Sequence, residues 1–369
     1  MKKIIVFAVL LFYTANLLKA ENPLKVNFGA ALRFNYKYTT WNEANKSQYG
    51  TMSYDMFRLS TVADYKNILL NAEYRFYSAN NGGGMLKRGW IGYRLNDRHT
   101  FTIGLTPVPF GLQPYTSNSY FFNINYYVGL EDDDDLGISY TYNYENWNIG
   151  VGFFKNSDLL ASDGGEQSLN RYSYDIVGDY REINALAVNV AYKLGKVLQS
   201  EIGLSALYGN VLNNTSFDKK QRYAFAVYYY GKIDAIELKT QYSIYNNGIE
   251  KVEVGAFGAS YLIPGQAQTL SACLSYNFAF NDKFIDNIQV YNDYSVMFEK
   301  NTTSNLSHQN ILGCSLTMGP ILCYFDFAFG KNQPWLGNEW SNAFYNGDSG
   351  WNTRINLNIG YYFNAKINK

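Results

Sequence analysis

The chain has 369 residues, with 31 Lys and Arg, 31 Asp and Glu and two His, so its formal net charge is zero. A nucleic-acid-binding protein would be strongly basic, and this balance argues against one. Apolar residues make up 47% and aromatic residues 18% of the chain. No segment after the N-terminal region offers the ~18 consecutive apolar residues of a transmembrane helix.

Residues 1–20 predict a secretory signal peptide. Two lysines at the start precede a short, uncharged apolar core, and Ala20 is a small residue at the expected cleavage point. The apolar core is too short to span a membrane. The segment contains three lysines and no acidic residue, so its removal leaves 28 basic and 31 acidic side chains and a net charge of −3. We expect one domain, residues 21–369.

Strict alternation of side-chain type begins at residues 25–38. Leu32 and Phe34 stand on one face of a predicted strand, and Arg33 and Lys37 stand on the other. A soluble sandwich also alternates, but tyrosines at the ends of the apolar face are typical of the aromatic girdles of a transmembrane barrel. The pattern therefore favours an all-β, transmembrane antiparallel β-barrel.

Sixteen segments carry this alternation, and short turns between them alternate with long loops, as periplasmic turns and extracellular loops do. Residues 251–263 also look strand-like. Counting them would give an odd number, and both chain ends must open to the periplasm. We therefore interpret 246–268 as one long loop that could contain a short inward hairpin, and expect 16 strands, with about 18 as the alternative. The predicted strands are 25–38, 54–65, 67–77, 85–95, 99–105, 136–144, 146–155, 183–193, 198–211, 220–230, 233–245, 269–280, 285–298, 309–319, 320–330 and 353–363.

Basic residues of the predicted lumen face concentrate on the first four strands and the last strand, which become neighbours when the barrel closes. Such a wall of positive charge would attract anions. Alternatively, these charges pair with one another, across strands or along one strand face as Glu73 and Arg75 could, and only keep the pore wet. Lys87 would replace Arg88 on this face if Trp90 faced lipid. The predicted basic wall consists of Arg33, Lys37, Arg58, Arg75, Arg88, Arg94 and Arg354.

Residues 106–135 form the longest connection in the first half of the chain and include seven Tyr and Phe. Long irregular loops are usually functional or disordered, and this aromatic content argues against disorder. We expect this third extracellular loop to fold into the barrel and set its constriction. The candidate constriction residues are Pro107, Pro109, Phe110, Gly111, Glu131, Asp132, Asp133 and Asp135.

The acidic run at 131–135 precedes the sixth predicted strand. If the alternation of the sixth strand is extended back into this run, Asp132 and Asp134 point outward. Glu131, Asp133 and Asp135 then point inward. A carboxylate facing hydrocarbon is costly, so the strand must leave the membrane by about Asp135, or the backbone must turn there. We expect solvated anchors that accept hydrogen bonds from the loop, with a calcium site as the alternative, because clustered carboxylates suit hard cations.

Four stretches carry a family resemblance: GLTPVPFGLQPY at 104–115, YYVGLEDDDDLGISY at 126–140, VYNDYSVM at 290–297 and YFDFAFGKNQPWLG at 324–337. In this order they resemble the phosphate-selective porin O and P family, in particular its members from Bacteroidetes-type bacteria. The resemblance implies an outer-membrane barrel that passes small anions and is often trimeric. Founding members carry a lysine ring at the constriction, whereas residues 106–135 contain no Lys or Arg. We therefore expect a general channel with mild anion preference, including for phosphate.

The expected partners are outer-membrane lipid and lipopolysaccharide, the barrel-assembly machinery, small inorganic or organic anions as permeants, and two further copies in a homotrimer. We expect no nucleic-acid partner, cofactor, metal or catalytic residue. One alternative is a surface adhesion barrel that uses the tryptophan-rich loop 331–352. Another is a barrel enzyme, but neither His99 nor His308 has an obvious catalytic partner at strand spacing.

Overall fold

The computed structural model describes residues 24–158, 168–195, 199–280, 284–298 and 305–368. The predicted signal peptide lies outside these residues. Within them, 16 antiparallel strands form a closed wall, because the first strand pairs with both the second and the last. The predicted fold class and strand number are therefore confirmed.

The wall strands are β1 (Lys25–Thr39), β2 (Thr51–Tyr65), β3 (Ile68–Phe76), β4 (Gly84–Asn96), β5 (His99–Pro107), β6 (Asp134–Tyr144), β7 (Trp147–Asn156), β8 (Tyr180–Leu194), β9 (Gln199–Asn213), β10 (Lys219–Ile233), β11 (Ile236–Ala256), β12 (Ala259–Ala279), β13 (Asn287–Phe298), β14 (Ser307–Met318), β15 (Ile321–Lys331) and β16 (Asn352–Asn368).

Short elements occupy the connections. A three-residue strand, Asp175–Val177, pairs with the outer part of β11. The helices are Glu43–Ser47, Ile124–Tyr127 and Ala343–Asn346, and single 3₁₀ turns are at Ala79–Asn81 and Pro334–Leu336. None of the helices in the described residues has the length and apolar character needed to cross a membrane.

The polarity of the wall is the reverse of that in a water-soluble protein. On β12, Leu274 is 52% exposed, whereas Ser271 and Ser275 are buried. On β1, Leu32 and Phe34 are likewise exposed, outside a lumen lined by polar side chains. An outward apolar band around a polar interior is the arrangement that a lipid bilayer stabilises.

The loop interpretation of 246–268 is wrong. β11 continues to Ala256, β12 begins at Ala259, and only Phe257 and Gly258 join them, with φ of 53° and 77°. The register shifts between Asn246 and Lys251 and then resumes. The strand-like pattern was real, but it belongs to the outer ends of two strands already counted, so the total stays even.

The outer ends of β11 and β12 form a hairpin that crosses the barrel mouth. Its tip meets the β3–β4 connection, eight strands away around the ring. The rings of Phe257 and Tyr77 lie 5.2 Å apart, edge to face. A Cβ on Gly258 would lie 2.9 Å from the backbone nitrogen of Gly82, so only a glycine fits this contact. The inward hairpin considered in the sequence analysis is therefore present.

The largest buried apolar cluster lies inside the barrel, at the end that carries the long connections. It joins the β5–β6 connection, the β7–β8 connection, the crossing hairpin and the β15–β16 connection. Its members include Val108, Phe110, Ile124, Tyr126, Tyr127, Tyr174, Val254, Tyr261, Ile263 and Phe344. This cap holds the loops over the lumen.

Candidate channel constriction

The β5–β6 connection, residues 108–133, is called the constriction loop below. It enters the lumen immediately after β5 and packs against β9 and β11. The Gly111 N–H donates to Ser205 Oγ at 2.9 Å, and the Leu112 N–H donates to Gln241 Oε1 at 2.8 Å. Gly111 has φ of 68°, and a Cβ there would lie 2.6 Å from Gln241 Oε1. Both the backbone conformation and the close approach therefore require glycine at this position.

Asp293 on β13 anchors the middle of the constriction loop. Its carboxylate accepts the backbone N–H groups of Asn118 at 2.6 Å and Ser119 at 2.7 Å, and the Asn118 Nδ2 donates to it at 2.9 Å. Hydrogen bonds to a charged acceptor are stronger than neutral ones. One carboxylate therefore fixes the position at which the loop turns across the lumen.

Tyr120 carries the constriction loop to the opposite wall. Its hydroxyl donates to Asp55 Oδ1 at 3.1 Å and accepts from Asn35 Nδ2 at 2.8 Å. The loop therefore contacts β9, β11 and β13 on one side and β1 and β2 on the other. Its predicted inward fold is confirmed.

A cavity of about 540 Å³ separates the constriction loop from the wall formed by β1–β4 and β16. Six of the seven predicted basic-wall residues line it, together with Lys87 and three carboxylates. The charged lining residues are Arg33, Lys37, Arg58, Arg75, Lys87, Arg88, Arg354, Asp55, Glu73 and Asp132.

Arg94 does not line this cavity. It binds Asp64 at 2.9 Å, and both side chains are about one-third exposed. This pair lies next to the tight β2–β3 turn, where Lys66 and Asn67 have φ of 50° and 70°, as in a two-residue hairpin turn. The structure therefore places Arg94 at the end of the wall that carries the short turns.

Both Lys87 and Arg88 reach the cavity because the β3–β4 ladder is irregular at this point. Glu73 pairs with Arg88 and Tyr74 with Leu86, so Lys87 is an extra residue in β4. Such a bulge breaks the strict alternation of faces. The two alternatives in the sequence analysis, Lys87 or Arg88, are therefore both realised.

Most of these cations have a carboxylate partner. Arg33 Nε lies 2.8 Å from Asp55, and Arg75 lies 2.6 Å from Glu73, which also faces Arg58 at 3.8 Å. Pairing between luminal charges, both across strands and along β3, thus accounts for much of the wall.

Lys37 and Arg354 are different. Among the described residues, no carboxylate oxygen lies within 4.0 Å of either cationic group. They occupy adjacent strands, because Lys37 pairs with Asn356 and Thr39 with Arg354. Arg354 donates to Asn356 at 2.9 Å. These two side chains form an unpaired cationic site on the wall.

The acidic run ends the constriction loop, and its members have separate roles. Glu131 accepts hydrogen bonds from Asn123 and Thr116 inside the loop. Burial raises the pKa of Glu131 to about 8, although these hydrogen bonds oppose the shift. Asp132 has φ of 50°, so the backbone turns there, and it accepts from Lys87 Nζ and the Tyr172 hydroxyl, each at 2.7 Å.

The predicted outward positions of Asp132 and Asp134 are both wrong, because Asp132 is buried against Lys87 on the cavity lining and Asp134 is buried against Arg88. Asp134 is fully buried and binds Arg88 through contacts of 2.7 and 3.0 Å. Its backbone N–H donates to Ser173 Oγ at 3.1 Å. Lipid exposure of a carboxylate is costly, and the turn at Asp132 together with the bulge in β4 supplies cationic partners instead.

Asp133 and Asp135 approach Asp175 of the β7–β8 connection, with one carboxylate oxygen of each within 4.8 Å of the others. Three carboxylates are a donor set that could hold a hard cation such as Ca²⁺. Arg171 lies 2.8 Å from Asp175, and Arg222 also attracts the cluster. Burial and the charge of Asp175 raise the pKa of Asp133. Cations of the protein thus offset part of the negative charge.

No protein-family model and no curated protein matches the sequence. Solved structures do match. The anion-selective porin from Comamonas acidovorans aligns with a TM-score of 0.61 and 16% identity over 92% of this chain and 100% of that chain. The outer membrane channel DcaP of Acinetobacter baumannii aligns with a TM-score of 0.59 and 12% identity over 94% of this chain and 99% of that chain. The barrel resembles outer-membrane porins.

A third neighbour is OmpT of Vibrio cholerae, with a TM-score of 0.56 and 15% identity over 94% of this chain and 99% of that chain. These identities are low, and the similarity establishes the barrel fold. The match to the whole length of each neighbour shows that the porin-like barrel accounts for nearly the entire chain.

Sequence alternation did not identify Asp55, and it placed Asp293 on the lumen face without indicating its role as an anchor. Asp55 lies at an irregularity in which Arg33 pairs with Met56 and Phe34 with Tyr54. Asp55 is therefore an extra residue, which simple parity cannot assign to a face. Asp293 alternates normally, but its role as an anchor depends on a loop 175 residues away in sequence.

Proposed function

We propose that this protein forms a water-filled channel in the outer membrane of a Gram-negative bacterium. Small hydrophilic solutes cross it by passive diffusion, with a mild preference for anions. One observation carries the proposal: the inward constriction loop faces a cavity whose lining has seven cations and three carboxylates. A net positive wall at the narrow part of a pore raises the local concentration of anions.

Strong phosphate selectivity is not part of the proposal. A selective phosphate site needs several cations free to bind one anion, but Arg33, Arg75 and Arg88 each already bind a carboxylate. Of the seven cations that line the cavity, Lys37 and Arg354 are the two with no carboxylate partner among the described residues. We propose that phosphate and chloride share this path, with moderate discrimination between them.

The proposed partners follow from the barrel. They are outer-membrane lipid and lipopolysaccharide around the wall, the barrel-assembly machinery, and two further copies in a homotrimer. One structural neighbour, OmpT of Vibrio cholerae, is described in a trimer form. Crosslinking of the folded protein in detergent, compared with its heat-denatured form, tests the trimer.

A surface adhesin is the second candidate, and the loop tryptophans bear on it. Trp335 donates to the Tyr174 hydroxyl at 2.7 Å, and Trp340 donates to the Ser260 carbonyl at 2.7 Å. Both therefore contribute to the internal cap, and only Trp351 is largely exposed. This use of the aromatic side chains favours the channel over the adhesin.

Planar-bilayer recording of the folded residues 21–369 tests the channel. We expect discrete conductance steps. Under a KCl gradient, we expect a reversal potential that is displaced from zero toward the equilibrium potential of chloride. A displacement toward the equilibrium potential of potassium would reject the anion preference. A complete absence of steps would reject the channel and favour the adhesin.

A further inference from the structure

We propose that the cavity selects among organic anions and favours those that carry an aromatic ring. The inference rests on the proposed channel and names a substrate class for the same cavity. Fourteen of its 31 lining residues are aromatic. That share is nearly half, against 18% of the whole chain. Wetting a pore does not require this enrichment.

The cationic wall is itself interleaved with rings. The Arg33 guanidinium lies 5.6 Å from the centre of the Tyr120 ring, and Arg354 lies 4.8 Å from that of Phe121. Arg75 lies 4.4 Å from the ring of Tyr172. Cations within about 6 Å of a ring are attracted to its face. Anion-binding and ring-binding groups therefore share one surface.

The facing side of the cavity is an aromatic surface supplied by the constriction loop. Phe122 stacks on Tyr126 with ring centres 4.0 Å apart, and Tyr115 meets Phe122 edge to face at 5.2 Å. Tyr115 remains 37% exposed. Its ring is therefore fixed at one edge and still available to a guest molecule.

Lys37 and Arg354 supply the anion end of the site, because neither has a carboxylate partner among the described residues. Arginine can bind a carboxylate through two parallel hydrogen bonds. The volume of about 540 Å³ is in the range of sites for small organic ligands. An aromatic carboxylate uses both the cations and the rings, whereas an inorganic or aliphatic anion uses the cations alone.

Benzoate and cyclohexanecarboxylate are suitable probes, because they share charge and approximate size and differ in aromaticity. Each is titrated against the chloride current of the full mature chain in a planar bilayer. We expect benzoate to block half of the current at a concentration about threefold to tenfold lower, the ratio that one aromatic pair contributes. Equal half-blocking concentrations would overturn the inference while leaving the channel intact.

The variant Tyr115→Ser removes the exposed ring. We expect it to bring the two half-blocking concentrations together, and its chloride steps report whether it has folded. The matched control is Tyr49→Ser, since Tyr49 is 83% exposed in the β1–β2 connection and does not line the cavity. It should retain the wild-type ratio. A wild-type ratio in Tyr115→Ser would overturn the assigned surface.

Calorimetric titration of the detergent-folded protein with both probes separates this inference from the proposed function. Preferential benzoate binding without any conductance would overturn the channel and support the ring-binding site. Chloride-selective conductance with equal binding of both probes would support the channel and overturn the site. Absence of both binding and conductance would overturn both proposals.

Discussion

Asp134 and Arg88 form a two-pronged ion pair, with contacts of 2.7 and 3.0 Å, that fastens the end of the constriction loop to β4. Lys87 adds a second cation at 3.7 Å. The carboxylate is fully buried. The run of acidic residues before β6 is therefore part of the internal scaffold that positions the loop.

Asp134→Ala should destabilise the folded barrel. Arg88 loses two charged hydrogen bonds, each worth about 1.5–3 kcal/mol, but it is 25% exposed to the cavity, so solvent offsets part of this loss. The measurement is the temperature at which the folded band disappears in heat-modifiability gels. Asp64→Ala is the matched control, because its pair with Arg94 is about one-third exposed and worth ~0–1 kcal/mol. Equal effects would contradict the assigned role of Asp134.

Asp293→Ala should release the middle of the constriction loop. Three donors of Asn118 and Ser119 lose their acceptor. Each hydrogen bond to a charged group contributes about 1.5–3 kcal/mol. We expect a larger mean conductance and more current noise in single-channel records. Asp293→Asn keeps one acceptor oxygen and the volume, so its effect should be smaller. An unchanged conductance in both variants would mean that other contacts hold the loop.

Charge changes in the wall should act according to pairing. Glu73→Gln frees Arg58 and Arg75 and should raise the chloride-to-potassium permeability ratio, whereas Arg354→Gln should lower it, each roughly twofold. Reversal potentials under a KCl gradient measure both. Lys239→Gln is the control, because Lys239 is paired with Glu237 at 3.0 Å on the other side of the lumen. If Lys239→Gln and Arg354→Gln lower the ratio equally, the asymmetric wall is wrong.

Glu131 should make stability depend on pH. Its pKa is raised to about 8 by burial, so the folded protein keeps it protonated where the unfolded chain, with the ordinary pKa, is ionised. Its contribution to stability therefore falls as the pH rises from the ordinary glutamate pKa of ~4.3 to about 8, and is constant above that. Glu131→Gln removes this titration.

The heat-modifiability temperature of wild type relative to Glu131→Gln should therefore decrease between pH 5 and pH 9. Other titrating groups affect both proteins equally, so the difference isolates Glu131. A difference that stays constant with pH would show that the buried carboxyl group does not take up a proton on folding.

Most of the wall could be predicted from alternation, because lipid and water impose opposite demands on successive residues. The prediction fails where the ladder is irregular. At Asp55 and at Lys87 an extra residue in the strand shifts the following side chains to the opposite face of the sheet. Counting alternate residues in the sequence cannot detect such a shift. At 251–263 the pattern correctly indicated strands, but a sequence does not show that a strand continues beyond the membrane.

The constriction could be predicted only in outline. Proline, glycine and aromatic residues indicated that residues 106–135 fold compactly, and the inward position followed from their length. The anchors could not be predicted, because Asp293 and Gln241 are 175 and 129 positions away in sequence from the loop residues that they contact. Such contacts have no local signature and arise only when the barrel closes.

The contact between Gly258 and Gly82 joins opposite points of the rim. A ring with a strut along one diameter resists flattening along that diameter, although it can still deform at right angles to it. Lateral pressure from the surrounding bilayer will therefore change the shape of the entrance unequally in the two directions. Because the strut crosses the barrel axis, a solute that used the proposed channel would have to pass to one side of the centre at this rim.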